Sequence, residues 1–248
     1  MLDYSREAAG YDATRGGDER ADAAADAIRS LLPAGAKSVL DVACGTGIVT
    51  MRLVADGRHV IGVDRAEGML ALAHDRLPGA LVRGDATRLP VAGGSVDAVV
   101  MVWLLHLLDM RQVEQVVAEG SRVLRPGGVL ITTVDKNDAG YATGSDVADL
   151  VGPIRSRFAA PQRDAAGTII ELSEAHRMAV AGEAVFTGHG QGRSPQQWAE
   201  LIRNVKQDWM RAAGPEIVGG VLRKLAELPG QDVPRAEPVY RLLALQRR

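Results

Sequence analysis

The hydrophobic pattern of the chain alternates between short apolar runs and longer stretches with helical spacing. Before residue 136 the apolar runs predict five strands: Lys37 to Val42, His59 to Val63, Ala80 to Arg83, Asp97 to Trp103 and Val129 to Val134. The stretches between them predict four helices: Asp18 to Leu32, Ile48 to Ala55, Glu67 to Leu77 and Arg111 to Leu124. Strands that alternate with helices at this spacing indicate an α/β fold with a Rossmann-like, doubly wound sheet.

The regular alternation ends near residue 136. Lys136 to about Gly182 contains short helical pieces and no clear strand, so we predict a helical cap insertion there. A sixth and a seventh strand are predicted at Ala184 to Gly192 and Pro238 to Arg247. A capping serine and a first-turn proline begin a helix at Ser194-Pro195, and a further helix covers Glu216 to Leu228.

The composition of the 248-residue chain narrows the choice of partners. A formal net charge of −2 gives no electrostatic reason to expect nucleic acid or an anionic membrane. The single cysteine, Cys44, excludes an internal disulfide framework, and no pair of histidines has metal-ligand spacing. The first ten residues lack the apolar stretch of a signal peptide, and the longest apolar run is too short to span a bilayer. We therefore expect a cytoplasmic protein without a metal.

Acidic residues stand at the ends of three successive predicted strands. Because parallel strands end at one edge of a sheet, Asp41, Asp64 and Asp85 are expected to lie close together. A carboxylate at Asp64 can accept both hydroxyls of a ribose, and Asp85 can accept from an adenine amino group. The alternative is that all three are ordinary solvated turn carboxylates, but their repetition at successive strand ends favours a ligand.

A glycine-bearing turn, Ala43 to Gly47, follows the first strand and lets a ligand approach bare backbone. Dinucleotide-binding proteins share this device, so an NAD-dependent oxidoreductase is an alternative that NADH binding would support. Two residues count against it: Thr50 stands where the dinucleotide motif has a small residue, and Asp41 would repel a pyrophosphate. The turn contains no lysine or arginine, so the pattern favours a cationic nucleoside without phosphates. S-adenosylmethionine (SAM) fits that description.

Five motifs resemble, in order and spacing, those of class I SAM-dependent methyltransferases, in particular the bacterial small-molecule branch called methyltransferase type 11. They are Val39 to Gly47, Val60 to Asp64, Gly84 to Ala86, Ser95 to Val100 and Leu124 to Leu130. The motifs lie within roughly residues 35 to 135, and the rest of the chain matches only in architecture. One departure is Ala43, because the family usually has glycine there, and the extra methyl group narrows the room for the ligand.

The resemblance implies a single domain, residues 1–248, with a seven-stranded sheet whose last strand is antiparallel. Its segments would be an N-terminal flap and helix (1–34), a SAM-binding core (35–135), the cap insertion (136–183), and C-terminal strands with cap helices (184–248). The cap is expected to cover the strand ends and to select the acceptor.

The resemblance also implies roles for individual residues. The backbone of Ala43, Gly45 and Gly47 would hold the methionine part of SAM, with Asp41 near its amino group. The adenosine part would contact a second set: Asp64 at the ribose, Met69 beside the adenine, and Asp85 and Ala86 at the adenine edge. The methyl-transfer site would be lined by Val102, Trp103 and His106. A flap over SAM would contain Tyr4, Tyr11, Asp12 and Arg15, with Arg15 at the SAM carboxylate.

His106 is the candidate general base, which would take a proton from the acceptor as the methyl group moves. The alternatives are a structural histidine or one that contacts SAM, because many methyltransferases only align the two reactants. Cys44 is not expected to be a nucleophile, since its neighbours are acidic.

These observations predict a SAM-dependent methyltransferase that methylates an oxygen or nitrogen atom of a small molecule by in-line displacement and releases S-adenosylhomocysteine. We expect natural-product biosynthesis and a monomer or homodimer. Three alternatives stay open: a peptide or protein acceptor, a catalytically silent SAM-binding protein, and the NAD-dependent oxidoreductase. The acceptor itself is not defined by the sequence, because a fold of this type serves many substrates.

Overall fold

The computed structural model describes residues 10–55, 57–204 and 207–248. Their strands are β1 Ser38–Val42, β2 His59–Asp64, β3 Leu81–Arg83, β4 Val96–Met101, β5 Leu124–Val134, β6 Met178–Thr187 and β7 Val239–Arg247. Their α-helices are α1 Gly17–Leu31, α2 Thr50–Leu53, α3 Glu67–Arg76, α4 Met110–Val123, α5 Asp146–Phe158, α6 Ala166–Ala175, α7 Pro195–Asn204 and α8 Asp208–Glu227. Short 3₁₀ helices cover Leu105–Leu107 and Ala139–Tyr141. The first nine residues of the predicted flap lie outside the described residues.

The strands form one sheet in the order β3-β2-β1-β4-β5-β7-β6. Strand β1 is parallel to β2 and β4, β2 is parallel to β3, and β4 is parallel to β5. Strand β7 is antiparallel to β5 and lies between β5 and β6. The predicted doubly wound sheet with an inserted antiparallel last strand is thereby confirmed. The strand order reverses between β1 and β4, and ligands of such sheets bind outside the carboxyl ends of the strands at this point.

The described residues separate into two compact units. The first comprises the described residues up to Lys136 together with Arg163–Phe186 and Tyr240–Arg248, and it contains most of the sheet. The second comprises Asn137–Gln162 and Thr187–Val239. Part of the segment expected to belong to the cap, including α6 and the beginning of β6, therefore lies in the first unit. The roles expected for the cap stay predictions.

Strand β6 is the main departure from the predicted elements. It begins at Met178, inside the segment where no strand was predicted, and it ends at Thr187, before the predicted end at Gly192. Its hydrogen-bonded neighbour in the sheet is β7, so β6 is an edge strand, and most of its side chains are partly or fully exposed. Alanine and glycine therefore suffice at several positions, and the apolar run by which the central strands were recognised is missing.

Helix α8 also differs from the prediction. It begins at Asp208 rather than Glu216, and it contains a break at Gly214, whose φ of 81° is non-helical. Pro215 follows and begins the second half. The predicted helix corresponds to this half, because a proline is well tolerated in a first turn.

The core of the first unit lies on both faces of the central strands. Close approach of α4 to the sheet depends on Gly120, since a Cβ at this position would lie 2.5 Å from Leu130 Cδ1 and 2.9 Å from Met101 Cε. At the opposite end of the strands, Asp97 accepts hydrogen bonds from the backbone nitrogens of Lys37 and Ser38, both at 2.9 Å. The two contacts fix the position of the central strands, and thus of the loops at their carboxyl ends.

Candidate active site

A cavity in the first unit lies at the carboxyl ends of the parallel strands. Of the residues predicted to form the site, it is lined by Tyr11, Asp41, Ala43, Gly45, Asp64, Met69, Asp85, Ala86, Val102 and Trp103. The three carboxylates lie within two residues of the ends of β1, β2 and β3. The strand order thus brings together residues that are far apart in the sequence.

The turn after β1 contains three residues with left-handed backbone. The φ angles of Ala43, Gly45 and Gly47 are 61°, 57° and 73°. The turn is held against β2, because the backbone nitrogens of Ala43 and Cys44 both donate to the Val63 carbonyl, at 2.7 and 3.1 Å. A left-handed conformation is unfavourable for alanine. The departure at Ala43 therefore costs backbone strain as well as room for the ligand.

Asp64 is held by two backbone donors. Its Oδ2 accepts from the Gly45 nitrogen at 2.9 Å, and its Oδ1 accepts from the Ala66 nitrogen at 2.8 Å. Each carboxylate oxygen has two lone pairs, so one on each oxygen is left for another donor. Two neighbouring hydroxyls, as in a ribose, match this arrangement.

Asp41 is a buried acid whose pKa is shifted upwards. It is 5% exposed, and its Oδ2 accepts a hydrogen bond from Thr50 Oγ1 at 2.6 Å. Burial raises the pKa of Asp41 to about 7, although the Thr50 hydrogen bond opposes this shift and the nearby Asp64 charge adds to it. A cation placed beside Asp41 would stabilise its charged form. The size of Thr50 counts against a dinucleotide, and its hydroxyl is the hydrogen-bond donor to this carboxyl group.

Asp85 is more exposed and has a free oxygen. Its Oδ1 accepts from the backbone nitrogen and the hydroxyl of Thr87, at 2.8 and 2.7 Å, and these bonds lower its pKa. In the described part of the chain, Oδ2 of Asp85 has no hydrogen-bond partner. Met69 is 2% exposed and lines the cavity together with Ala86. Asp85 thus offers a charged hydrogen-bond acceptor, and Met69 and Ala86 offer an apolar surface beside it.

Three predicted residues are not among those that line the cavity. They are Gly47, Arg15 and His106. A Cβ at Gly47 would lie 3.1 Å from Leu77 Cδ1 and 3.2 Å from Ala73 Cβ, so this glycine lets α3 approach the turn. Arg15 lies over the Tyr11 ring, 5.4 Å from its centroid.

His106 lies in the short helix that follows β4. Its Nδ1 is buried and has no hydrogen-bond partner in the part of the chain described here. Burial lowers the pKa of His106 to about 3, and the positive charges of Lys136 and Arg15 add to the shift. The imidazole is neutral at pH 7, and with this pKa it is a weak base. Its catalytic role stays a prediction.

The lining residue Trp103 belongs to an aromatic cluster with Phe186 and Tyr240. Trp103 has a left-handed φ of 59°, and its backbone nitrogen donates to Thr133 Oγ1 at 2.9 Å. Its ring meets Phe186 of β6 edge-on at 5.8 Å and Tyr240 of β7 at 6.1 Å between centroids. Positive φ is uncommon for a bulky residue and is often found at functional sites.

Arg20 is a lining residue that the sequence analysis missed. Its guanidinium lies over the Trp103 ring, 4.0 Å from the centroid, and the residue is 7% exposed. The available signal was its position in α1, because Arg20 falls on the same helical stripe as the buried Ala24 and Ile28. An arginine in an apolar stripe indicates a buried charge.

The Cys44 thiol is not an activated nucleophile. Burial and the charges of Asp41 and Asp64 raise the pKa of the Cys44 thiol, so it is not a thiolate at neutral pH. The residues described contain no group of three or more His, Cys, Asp or Glu side chains arranged to hold a metal ion. None of the described helices combines the length and apolar character needed to cross a membrane.

Residues 40–132 match the sequence profile of a family described as "Methyltransferase domain". An uncharacterized methyltransferase of Mycobacterium tuberculosis is 35% identical over 142 residues, which are 55% of this chain and 57% of that protein. A demethylmenaquinone methyltransferase of Beutenbergia cavernae is 45% identical over 97 residues, 38% of each chain. The chain thus spans little more than half the length of the first of these relatives and less of the second.

Among solved structures, similarity extends over the whole fold at low sequence identity. A SAM-dependent methyltransferase of Thermotoga maritima, described as a possible histamine N-methyltransferase, aligns with a TM-score of 0.58 and 17% identity. The alignment covers 99% of this chain and 98% of that one. At this identity the likeness establishes the fold alone. The sequence profile confirms the resemblance found in the motifs, and the match extends over residues 40–132.

Proposed function

We propose that the chain binds SAM and transfers its methyl group to an oxygen or nitrogen atom of a small-molecule acceptor. The observation that carries the proposal is the cavity lined by Asp41, Asp64 and Asp85, each with a different environment. A nucleoside with an ammonium group and no phosphate suits all three carboxylates, whereas a pyrophosphate would be repelled by their negative charges.

Each part of the cofactor has residues suited to it. The free lone pairs of Asp64 accept the ribose hydroxyls, and the free oxygen of Asp85 accepts the adenine amino group. The left-handed turn at Ala43 and Gly45 gives the methionine part access to backbone, next to Asp41. When bound, SAM supplies an electrophilic methyl group on a sulfonium.

The acceptor end of the cavity is mainly apolar. Apart from Trp103 and Val102, it has Leu104, Leu107 and Leu108 among its lining residues. We infer that these side chains exclude water and hold the acceptor atom in line with the methyl carbon at roughly 3 Å, so that orientation supplies most of the catalysis. This account does not require His106, which is a weak base and does not line the cavity.

A small acceptor is the preferred class. The relative from Beutenbergia cavernae is named a demethylmenaquinone methyltransferase, which supports an acceptor other than a peptide without identifying it. Natural-product biosynthesis, a cytoplasmic location where SAM is made, and a monomeric or homodimeric state belong to the same proposal. A peptide acceptor and a silent SAM-binding protein remain the competing functions, since a fold does not determine a reaction.

Calorimetric titration of the purified chain with SAM, S-adenosylhomocysteine and NADH tests the cofactor. We expect micromolar-range binding of the first two ligands and none of NADH. Asp64→Ala should weaken binding by roughly 100-fold, because two charge-assisted hydrogen bonds are lost. Asp75→Ala, on the exposed face of α3, is the matched control and should bind as the parent does.

Two results would decide against the proposal. Failure of the folded parent chain to bind SAM would exclude the cofactor, and binding of NADH instead would favour the oxidoreductase. If Asp64→Ala lowers the unfolding temperature, the titration is repeated with Asp64→Asn. The asparagine amide oxygen still accepts one of the two backbone hydrogen bonds.

A further inference from the structure

One end of the cavity contains a buried positive charge, and no described residue forms an ion pair with it. Arg20 lines the cavity, and only 7% of its surface is exposed. Its guanidinium lies over Trp103, but its Nε has no hydrogen-bond partner among the described residues. A cation–π contact does not replace the hydration that a guanidinium loses on burial.

The carboxylate of Asp12, whose charge acts favourably on Arg20, is already engaged elsewhere. Its Oδ1 accepts from Thr46 Oγ1 at 2.6 Å, and its Oδ2 pairs with Arg76 at 2.8 Å. Arg15 adds a second positive charge near Arg20. The local charge at this end of the cavity is therefore positive.

Two further buried donors near Arg20 also lack partners. They are the indole Nε1 of Trp103 and the Nε of Arg15, for which the described residues offer no acceptor. All three unsatisfied groups are N–H donors, and buried donors normally have a partner. Of the three, Arg20 and Trp103 line the cavity, so a ligand there that satisfies them must offer acceptor oxygens. The positive charges of Arg20 and the nearby Arg15 favour a negatively charged one.

The position of this group separates it from the proposed cofactor site. Trp103 packs against Phe186 of β6 and Tyr240 of β7, which lie on the side of β4 away from β2 and β3. The proposed adenosine contacts, Asp64 and Asp85, follow β2 and β3. A ligand over Trp103 is therefore placed where a second molecule would lie beside the cofactor.

We propose that Arg20 and Trp103 form a subsite for an anionic oxygen group, a carboxylate or a phosphate, on the methyl acceptor. This inference rests on the proposed function, because it assumes that the second ligand is the acceptor. Leu104, Leu107 and Leu108 line the same cavity, so the acceptor is an acid with an apolar body.

The indole N–H of Trp103 provides a direct test. The chain has three tryptophans, so ¹⁵N-tryptophan labelling gives three indole signals, and Trp103→Phe identifies one of them. The protein is saturated with S-adenosylhomocysteine and titrated with benzoate, phenyl phosphate and the neutral benzamide. We expect at least one of the two anions to shift the Trp103 signal saturably and benzamide to leave it in place. The anion that binds identifies the group.

Variants of the arginine complete the test. Arg20→Gln should weaken binding of that anion at least tenfold, whereas Arg111→Gln, at an exposed position of α4, should leave it unchanged. Arg20→Lys, which keeps the charge, should retain the preference for anions over benzamide. If Arg20→Gln does not fold, the charge preference of the parent chain and of Arg20→Lys decides the question.

Other outcomes overturn the inference and leave the proposed function intact. Equal shifts with benzoate, phenyl phosphate and benzamide, or none with any of them, would exclude an anion subsite. If Arg20→Gln weakens S-adenosylhomocysteine but not 5′-methylthioadenosine, which lacks the amino acid part, Arg20 binds the cofactor carboxylate instead. Absence of S-adenosylhomocysteine binding by the parent chain would be the separate failure of the proposed function.

Discussion

The two ends of the cavity differ in charge and in how the chain builds them. One end contains the carboxylates of Asp41, Asp64 and Asp85, which follow three successive parallel strands. The other contains Arg20 over Trp103, supported by rings from distant parts of the chain. Opposite charges at the two ends suit two ligands of different character, a cationic nucleoside and an acid. The pH dependence of binding tests this difference directly. The stability effect of Asp97 and the reactivity of Cys44 test the scaffold and the turn that carry the acidic end.

Among the properties that distinguish the two ends, the largest expected difference is a pH dependence of binding confined to the acidic end. The pKa of Asp41 is about 7 without ligand, and the ammonium group of a bound ligand lowers it, so binding releases a proton below pH 7. Affinity for S-adenosylhomocysteine should therefore rise roughly tenfold between pH 5.5 and 7.0 and then level off. Calorimetry across this range measures it.

Two controls sharpen this prediction. Asp41→Asn should remove the pH dependence, and 5′-methylthioadenosine, which has no ammonium group, should show none in the parent chain. At the other end, the affinity for benzoate should not change with pH in this range, because benzoate stays ionised and His106 is neutral with a pKa of about 3. A flat profile for S-adenosylhomocysteine would contradict the placement of its ammonium beside Asp41.

A smaller effect is expected at Asp97, which should contribute to stability but not to ligand binding. Burial alone would raise the pKa of Asp97, but hydrogen bonds from the Lys37 backbone, the Ser38 hydroxyl and Arg125 bring it to about 2. Because this pKa is lowered, the stabilisation is fully present above the unfolded-state pKa, roughly 3.9, and is lost as the pH falls towards 2. Asp97→Asn should lower the free energy of unfolding at pH 7 by about 1 kcal/mol.

Urea denaturation at pH 7 and pH 5 measures this change, which should be the same at both values. Once folded, Asp97→Asn should bind S-adenosylhomocysteine as the parent does, since Asp97 lies at the opposite ends of the strands from the cavity. A selective loss of binding at only one end would show that the two ends do not share a rigid scaffold.

The smallest expected signal is the reactivity of Cys44. Burial and two nearby carboxylates raise the pKa of its thiol, so the native chain should not react with iodoacetamide at pH 8 over an hour. The urea-unfolded chain provides the control and should be labelled fully, as measured by mass spectrometry. Rapid labelling of the native chain would show that the turn is less acidic or more open than described.

The same contrast explains what the sequence could predict. The acidic end was predictable because each of its residues lies within two positions of a strand end, and strand ends of a parallel sheet converge. The order of strands and helices along the chain was enough to predict the positions of Asp64 and Asp85. The partner of Asp41 was not predicted, since Thr50 was judged by its size rather than by its hydroxyl.

The basic end depends on contacts between residues far apart in the chain. Arg20 meets Trp103, and Trp103 meets Phe186 and Tyr240, none of which are neighbours in sequence. Strand β6, which supplies Phe186, was itself misplaced, because an edge strand lacks the buried apolar run of a central one. Prediction therefore failed where long-range packing, rather than local pattern, determines the structure.

The two backbone donors that hold Asp64 have a kinetic consequence. Both bonds lie within the chain, so Gly45 and Ala66 orient the carboxylate for the ribose that we propose it binds. Ligands that enter a preorganised site do not pay to order the loops around it. If Asp64 binds the ribose as proposed, we expect this contact to form without a slow rearrangement. We expect any slow phase in cofactor binding to arise in another segment of the chain.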